Sequence, residues 1–306
     1  MSERRGVLDM AYGTPAGLDQ VEAYYTDIRR GRPPPRDLLE ELTERYRAIG
    51  GRSPLLEITR AQTSGLEARL GVRCYLGQKH AAPFIYDAVA DMARDRVGRA
   101  RGVVLAPHYS ALSVGDYAGR AERAAEELGW SGSLEVIPSW HLEPGYVRWL
   151  AERVTEAIGS LSPRARDPHV IFSAHSLPAR ISGGGDPYPE QLAATGEAVA
   201  RSLGGIRWSV AWQSAGRTSE PWLGPDLLDV LEALAGDGVT GAVVCPCGFV
   251  ADHLEVLYDV DIEAAARAEA LGIELVRTRS PNDDPAFLDV LAQVVRNAFE
   301  ERPAGR

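Results

Sequence analysis

The stretch Phe172-Ser173-Ala174-His175-Ser176-Leu177-Pro178 takes a buried strand directly into a polar turn. Similar short runs of apolar and β-branched residues recur along the chain, and segments with helical periodicity lie between them. The eight runs cover residues 7–12, 73–77, 102–107, 134–138, 169–174, 208–212, 242–246 and 273–276. Strands that alternate with helices predict an α/β protein whose parallel sheets are flanked by helices.

The spacing of the runs predicts two Rossmann-like domains, each with a four-stranded parallel sheet. Strands two to four begin near residues 73, 102 and 134 in the first half and near 208, 242 and 273 in the second. We expect domains at residues 1–146 and 147–284. A final amphipathic helix, within residues 285–306, is expected to pack back across the first domain.

The first half contains an insertion, residues 15–55, between its first two strands. Such connections usually have about two to six residues. The insertion contains Tyr24, Tyr25 and the arginine-rich segment Arg29-Arg30-Gly31-Arg32. Aromatic and cationic residues together suit a flat, acidic ligand.

The composition excludes several classes of protein. The 306 residues carry a formal net charge of −10, which disfavours binding to nucleic acid or anionic lipid because neutralising phosphates requires clustered cations. No segment approaches the roughly 18 uninterrupted apolar residues of a membrane-spanning helix. The first strand also begins too early for a signal peptide to precede it. We expect a cytoplasmic monomer without stable membrane association.

The strand ends are the places to look for a functional site. Ligands of open parallel sheets bind beyond the carboxyl ends of the strands, and a cleft between two domains is the natural site. The segments at these ends are Tyr12-Gly13-Thr14, Lys79-His80, His108-Tyr109-Ser110, His175-Ser176 and Gly248-Phe249. They contain three of the six histidines of the chain.

His175 has two interpretations from its position alone. At the mouth of a cleft, an imidazole can bind a metal ion or accept a proton near neutral pH. It can equally well cap the end of a strand without any chemical role. The pattern does not choose between the two.

Three acidic residues follow the seventh strand at helical spacing. If the chain is helical after Gly248, then Glu255, Asp259 and Glu263 lie at i, i+4 and i+8 and form one acidic stripe. Like charges at this spacing repel each other unless a cation lies between them. Carboxylates in a row suit a weakly bound, exchanging divalent cation, but a solvated helix face has the same pattern.

The cysteines and glycines favour structural roles. Cys245 and Cys247 lie on one face of a predicted strand, but the single further cysteine, Cys74, cannot complete a four-thiolate site. We therefore expect buried strand thiols. Neither residues 12–17 nor the run Gly183-Gly184-Gly185 supplies a phosphate-binding G-x-G-x-x-G turn, so we expect no nucleotide cofactor.

The motifs together resemble the ferrochelatase family, most closely the coproporphyrin III ferrochelatases of Gram-positive bacteria. They occur in order over nearly the whole chain and are Met10-Ala11-Tyr12-Gly13-Thr14-Pro15, Tyr24-Tyr25, Ile28-Arg29-Arg30-Gly31-Arg32, Ser173-Ala174-His175-Ser176-Leu177-Pro178, Trp212-Gln213-Ser214, Pro221-Trp222-Leu223-Gly224-Pro225-Asp226 and residues 248–259. The resemblance implies two Rossmann-like domains of the chelatase type with a porphyrin cleft between them.

The resemblance also implies roles for individual residues. His175 and Glu255 lie on one face of the porphyrin and bind iron, and His175 either ligates iron or accepts pyrrole protons. Asp259 and Glu263 form an outer metal path. Tyr12, on the opposite face, ligates the inserted iron and marks the coproporphyrin subtype. The residues that contact the macrocycle or its propionates are Arg29, Arg45, Tyr46, Ser53 and Tyr117, whose guanidinium and hydroxyl groups suit carboxylates.

The activity implied by the resemblance is insertion of Fe²⁺ into coproporphyrin III, giving coproheme in haem biosynthesis. Iron is then a substrate, and we expect no [2Fe-2S] cluster, because no cysteine follows Cys247. Transient contact with an iron donor or a coproheme-processing enzyme is also expected. The alternatives are a protoporphyrin ferrochelatase, another tetrapyrrole metal chelatase on the same fold, and a non-catalytic coproheme carrier.

Overall fold

Two parallel sheets form the centre of the molecule. The computed structural model describes residues 4–165 and 167–300. The strands are β1 (Arg5–Ala11), β2 (Cys74–Gln78), β3 (Arg99–Val104), β4 (Ser133–Val136), β5 (His169–His175), β6 (Trp208–Gln213), β7 (Gly241–Cys245) and β8 (Glu274–Arg277). The sheet orders are β2-β1-β3-β4 and β6-β5-β7-β8, and all paired strands are parallel. The predicted fold class is confirmed.

Helices follow the strands and cover both sheets. They are α1 (Val21–Ile28), α2 (Arg36–Ala48), α3 (Leu55–Leu70), α4 (Ile85–Arg94), α5 (Val114–Glu127), α6 (Pro144–Ser160), α7 (Arg180–Gly183), α8 (Tyr188–Ser202), α9 (Leu227–Gly236), α10 (Leu254–Leu257), α11 (Ala265–Leu271) and α12 (Pro285–Glu300). A π-helical segment, Asp259–Ala264, lies between α10 and α11. No helix within residues 4–165 and 167–300 is long and apolar enough to cross a membrane.

One apolar cluster joins the two sheets. It contains Val103 of the first sheet, Phe172 of the second, Trp149 of α6 and Phe287 of α12, each 5% exposed or less. Because parallel strands with helices on both faces are buried on both sides, their sequences read as continuous apolar runs. The shared core holds the carboxyl ends of the two sheets in a fixed relation.

The last helix, α12, packs on α3 and α6. Its Asp289 accepts a hydrogen bond from Arg69 of α3 at 2.6 Å. Residues 301–306 of the predicted C-terminal segment, like residues 1–3 of the predicted first domain, lie outside the described residues. The predicted boundary between residues 146 and 147 falls within α6, and the division at that point stays a prediction.

Helix α3 also holds two loops of the second half in place. The side-chain amide of Gln62 is buried and donates to the carbonyl oxygens of Val250, at 2.9 Å, and Asn282, at 2.8 Å. Asn282 in turn accepts a hydrogen bond from the backbone of Asp252 through its side-chain oxygen, at 2.8 Å. The loop after β7 is therefore fixed against the first half before it reaches Glu255.

Candidate active site

The carboxyl ends of both sheets open onto a cavity of about 660 Å³. Ten residues were singled out from the sequence, and nine of them line this cavity: Tyr12, Arg45, Tyr46, Ser53, Tyr117, His175, Glu255, Asp259 and Glu263. Arg29 is the exception. Its guanidinium lies 5.9 Å from the ring centroid of Tyr25, which does line the cavity, so Arg29 lies next to a lining residue.

His175 and Glu255 meet at the end of the central strand of the second sheet. His175 is the last residue of β5, and its Nε2 lies 3.4 Å from Oε1 of Glu255. Its Nδ1 donates to the carbonyl oxygen of Ser176, which leaves Nε2 directed at the carboxylate. Both side chains are about one-third exposed, at 34% and 29%, so the pair is accessible from the cavity.

The two groups shift each other's pKa. Burial opposes the charge on His175, but the Glu255 carboxylate outweighs it and raises the pKa of the imidazole to about 9. Burial likewise opposes the charge on Glu255, but His175, helped by His253, holds the pKa of Glu255 well below its usual range. At neutral pH without metal, the arrangement is an imidazolium paired with a carboxylate.

The backbone at Glu255 is anchored rather than loosely placed. Gln213, at the end of β6, donates to the carbonyl oxygen of Glu255 at 2.9 Å and accepts from the hydroxyl of Ser173 at 2.9 Å. A Cβ atom at Gly248 would lie 2.8 Å from Cα of Ala174, so only glycine lets the loop after β7 pass this close to β5. The close passage brings Glu255 beside His175.

The condition for a regular acidic stripe, a continuous helix after Gly248, is not met. Helical structure begins at Leu254 and widens into the π-helical segment at Asp259. The amide of Glu263 bonds to the carbonyl oxygen of Tyr258, five residues earlier, at 2.9 Å. The wider turn changes the direction of the acidic residues, and π-turns of this kind are frequent at functional sites.

Asp259 is buried, unlike a residue on a solvated helix face. It is 5% exposed, accepts a hydrogen bond from Ser214, and lies 3.2 Å from Nη1 of Arg45. Burial, followed by the charge of Glu255, raises the pKa of Asp259 to about 7, although Ser214 and Arg45 act in the opposite direction. The carboxyl therefore lies between the neutral and charged forms near physiological pH.

Tyr12 enters the cavity from the first half, directly after β1. It is 40% exposed, its ring lies 4.7 Å from that of His80, and the ammonium of Lys79 lies 5.6 Å from the ring centroid. Lys79 is itself buried and paired with Asp116 at 2.7 Å. Shielding by the cleft, and then Glu255, keeps the pKa of the Tyr12 phenol above its usual value.

Tyr46, Ser53 and Tyr117 lie in the first half, like Tyr12. The hydroxyl of Tyr46 is 3.1 Å from that of Thr14, and Ser53 accepts from the amide of Leu55 at the start of α3, at 3.3 Å. Tyr117 is 4% exposed. Hydroxyl and guanidinium donors are therefore concentrated on the wall formed by the first half and its insertion.

The side chains that could bind a metal ion lie on the surface of an open cavity rather than in an enclosed metal site. Among the described residues, no three His, Cys, Asp or Glu side chains converge closely enough to hold a metal ion on their own. His175 and Glu255 offer two ligands at the surface of a cavity, with Asp259 and Glu263 on the same lining. Such a set suits a passing ion better than a resident one.

The comparison with known families decides the identity. The sequence model described as "Ferrochelatase" matches residues 4–299. The chain belongs to the ferrochelatase family. Members of this family are enzymes that insert a metal ion into a porphyrin, with Fe²⁺ as a substrate.

Individual relatives agree with the ferrochelatase assignment. The chain is 48% identical to "Coproporphyrin III ferrochelatase" of Geobacillus kaustophilus over 97% of this chain and 96% of the relative. It is 45% identical to the protein of the same name from Halalkalibacterium halodurans, over 97% and 98%. Among solved structures, "SirB from Bacillus subtilis with Fe3+" superposes with a TM-score of 0.63 at 13% identity, covering 97% and 98% of the two chains, which shows a shared fold.

Four residues of this ferrochelatase site were not singled out from the sequence: Lys79, Gln213, Ser214 and His253. In the sequence, Lys79 stands out only as part of a strand end. Gln213, Ser214 and His253 stand out only as members of longer motifs. Their positions depend on contacts between distant parts of the chain, such as the Ser214–Asp259 hydrogen bond. The structure itself marks one of these residues. Ser214 has a φ of 60°, a value that is rare outside glycine and clusters at functional sites.

The predicted thiols are buried and free in this ferrochelatase. Cys245 is 0% and Cys247 1% exposed. The hydroxyl of Tyr146 donates to the carbonyl oxygen of Cys247 at 2.8 Å. The expectation of buried thiols is confirmed for Cys245 and Cys247, although Cys247 lies beyond the end of β7, and Cys74 is buried and free as well.

Proposed function

We propose that the protein inserts Fe²⁺ into coproporphyrin III, with the porphyrin bound between Tyr12 on one side and the His175–Glu255 pair on the other. The observation that carries the proposal is the convergence of these three side chains, from two different sheets, on one cavity. The names of the relatives, at 45–48% identity over nearly the whole chain, support coproporphyrin III as the substrate.

Metalation requires two protons to leave the pyrrole nitrogens while iron sheds its water. In the proposed reaction, Nε2 of His175 and the carboxylate of Glu255 are the groups that hold the arriving ion or take up these protons. The same two groups serve in both roles, so proton uptake and iron transfer are linked. Arrival of a dication beside Glu255 would weaken the interaction that keeps His175 protonated, so the imidazolium would release its proton to solvent. Its Nε2 could then take up one pyrrole proton, and the second would pass to Glu255 or to solvent.

The outer acids supply the path for iron in this proposal. Asp259 and Glu263 line the same cavity as Glu255. Oxygen ligands exchange a hydrated Fe²⁺ ion more readily than a closed nitrogen and sulfur site does. Arg45, which is paired with Asp259 at 3.2 Å, keeps the buried carboxyl from standing as an uncompensated charge before the ion arrives.

The first-half wall binds the porphyrin in this proposal. Arg45, Tyr46, Ser53 and Tyr117 provide donors for propionate carboxylates, and Arg29 contributes its charge from beside Tyr25. Binding energy from the carboxylates can then bend the macrocycle and expose its nitrogen lone pairs, a use of remote contacts that lowers the barrier.

Tyr12 ligates the iron once it has entered the ring in this proposal. A phenol whose pKa is kept high does not compete for Fe²⁺ before insertion, because it stays protonated. We also propose a cytoplasmic monomer that meets an iron donor or a coproheme-processing enzyme only transiently.

The test is an anaerobic iron-insertion assay with purified protein, in which coproporphyrin III and protoporphyrin IX are compared. Clear turnover with coproporphyrin III and weak turnover with protoporphyrin IX is the expected result. Preference for protoporphyrin IX overturns the substrate. A parallel arm with cobalt and sirohydrochlorin tests the other chelatases, and porphyrin binding without any turnover identifies a carrier.

A further inference from the structure

The two walls of the cavity differ in the lysine and arginine side chains that line them. Arg45 and Lys79 line it from the first half. Among the described residues, Arg217 is the only arginine or lysine that the second half contributes to the lining. It lies in the loop between β6 and α9, three residues after Ser214, and none of the site residues expected from the sequence fills this place.

Arg217 is already paired with a carboxylate of the protein. Its Nη2 lies 2.6 Å from Oε1 of Glu41, which belongs to α2 in the insertion of the first half. The same oxygen lies 3.4 Å from Nη2 of Arg45. One carboxylate is thus shared by two guanidiniums from opposite walls, and this point at the cavity edge can hold a carboxylate between cations.

Arg217 retains donors for a further carboxylate. Within residues 4–165 and 167–300, its only ion-pair partner is Glu41, whereas a guanidinium has five N–H donors. Its side chain is 62% exposed. A ligand in the cavity can therefore bind to the free side of the guanidinium or take the place of Glu41.

We propose that Arg217 binds a propionate carboxylate of the porphyrin from the second half and thereby favours a tetracarboxylate porphyrin over a dicarboxylate one. The inference rests on the proposed function, whose carboxylate donors, Arg45, Tyr46 and Ser53 among them, all belong to the first half. A dicarboxylate porphyrin with both propionates on one edge is served by a single wall. Coproporphyrin carries a propionate on each of its four pyrroles, so it also presents propionates at the edge of the ring away from those donors, where Arg217 at the cavity edge can bind one.

The experiment measures binding without metal. Fluorescence titrations give the dissociation constants of metal-free coproporphyrin III and protoporphyrin IX in one buffer. Arg217→Gln is expected to weaken coproporphyrin III binding about fivefold more than protoporphyrin IX binding, a modest effect because the group is partly exposed. The preference should decrease in 1 M salt, where the screening length is about 3 Å.

Two further variants sharpen the test. Glu41→Gln removes the resident carboxylate from Arg217, and the preference for coproporphyrin III is expected to increase. Arg180→Gln is the matched control, because Arg180 also lies in the second half, is 63% exposed and is paired with an acid, Glu220, yet does not line the cavity. It is expected to leave the ratio of the two constants unchanged.

An equal effect of Arg217→Gln on both porphyrins, or no effect on either, overturns the proposal. So does a loss of preference in Arg180→Gln as large as that in Arg217→Gln. Failure of the wild type to insert iron into either porphyrin counts against the proposed function alone. The binding ratio is measured without iron and still decides for or against Arg217.

Discussion

The two walls of the cavity have the same strand order but opposite chemistry. In the first half, β1 leads to Tyr12, a neutral phenol close to the cation of Lys79. In the second half, β5 ends at His175, whose partner Glu255 introduces a wall of carboxylates. The common topology determines where the strand ends meet, whereas the loops after them determine what each wall can bind.

This difference suggests a division of labour. Hydroxyls and guanidiniums bind an acidic macrocycle, whereas an imidazole with carboxylates binds a cation and protons. Changes at His175, Glu255 and Asp259 should then alter iron parameters more than porphyrin parameters, whereas Tyr12, as proposed ligand of the inserted iron, and Arg217, as proposed propionate partner, are exceptions to the division. A larger effect on porphyrin binding than on iron insertion in the His175, Glu255 or Asp259 variants would contradict the division.

The largest effect is expected from His175→Ala. In the proposed reaction, removing the imidazole takes away a group that ligates the metal or accepts a proton, and general acid–base groups typically contribute at least about 100-fold. We expect iron insertion to fall by at least that factor while metal-free porphyrin still binds. His169→Ala is the control, because His169 begins the same strand and bonds to Ser209 at 3.0 Å instead. Full activity of His175→Ala would end the assignment of the second wall.

Glu255→Gln should have the next largest effect, about 10- to 100-fold on iron insertion. The glutamine keeps the shape of the side chain but loses the charge that raises the pKa of His175 to about 9. In metal-free protein, NMR titration should therefore find the His175 pKa closer to its usual value. An unchanged imidazole pKa would show that Glu255 does not control this histidine.

Asp259→Asn should act on iron rather than on porphyrin. The amide is a weaker ligand for a dication, so we expect the KM for Fe²⁺ to rise about tenfold, with a smaller change in the KM for coproporphyrin III. Asp289→Asn is the control, since it also removes a carboxylate paired with an arginine, Arg69, but on α12. A larger rise in the porphyrin KM than in the iron KM would place Asp259 with the first wall.

The sequence predicted the fold because strand and helix periodicities are local properties. It also placed His175 and Gly248 at one edge, since the carboxyl ends of parallel strands share that edge, whereas the pairing of His175 with Glu255 was implied by the resemblance alone. The π-helical segment was missed because an extra residue in a helical turn leaves no clear mark in apolar spacing. Arg29 is absent from the cavity lining and lies 5.9 Å from the ring centroid of Tyr25, a placement that depends on the packing of the insertion, and its contact with the macrocycle stays a prediction.

A smaller effect on iron insertion is expected from Tyr12→Phe. If Tyr12 ligates iron only after insertion, its loss should change the visible spectrum of the coproheme complex and the rate of product release more than the binding of metal-free porphyrin. Tyr86→Phe is the control, because Tyr86 is also exposed, at 46% compared with 40% for Tyr12, and does not line the cavity. An unchanged product spectrum would remove Tyr12 from the proposed coordination.

The smallest effect on activity, with a clear effect on stability, is expected from Asp9→Asn. Both central strands have a buried polar residue at their fifth position, Ser173 in β5 and Asp9 in β1. The hydroxyl of Ser173 donates to Gln213. Asp9 accepts a hydrogen bond from Thr63, but its Oδ1 has no partner among the described residues. Burial raises the pKa of Asp9 from 3.8 to about 7.

Because the folded pKa of Asp9 lies above the unfolded one, its protonated form stabilises the fold below about pH 4, and this contribution is lost as the pH rises towards 7. Asparagine cannot ionise, so the free energy of unfolding of Asp9→Asn should increase relative to wild type by about 2 kcal/mol between pH 5 and 7. Urea unfolding at several pH values measures this difference. A gap between the two proteins that stays constant with pH would mean that Asp9 does not titrate in this range, and the two central strands would then differ in side-chain shape alone.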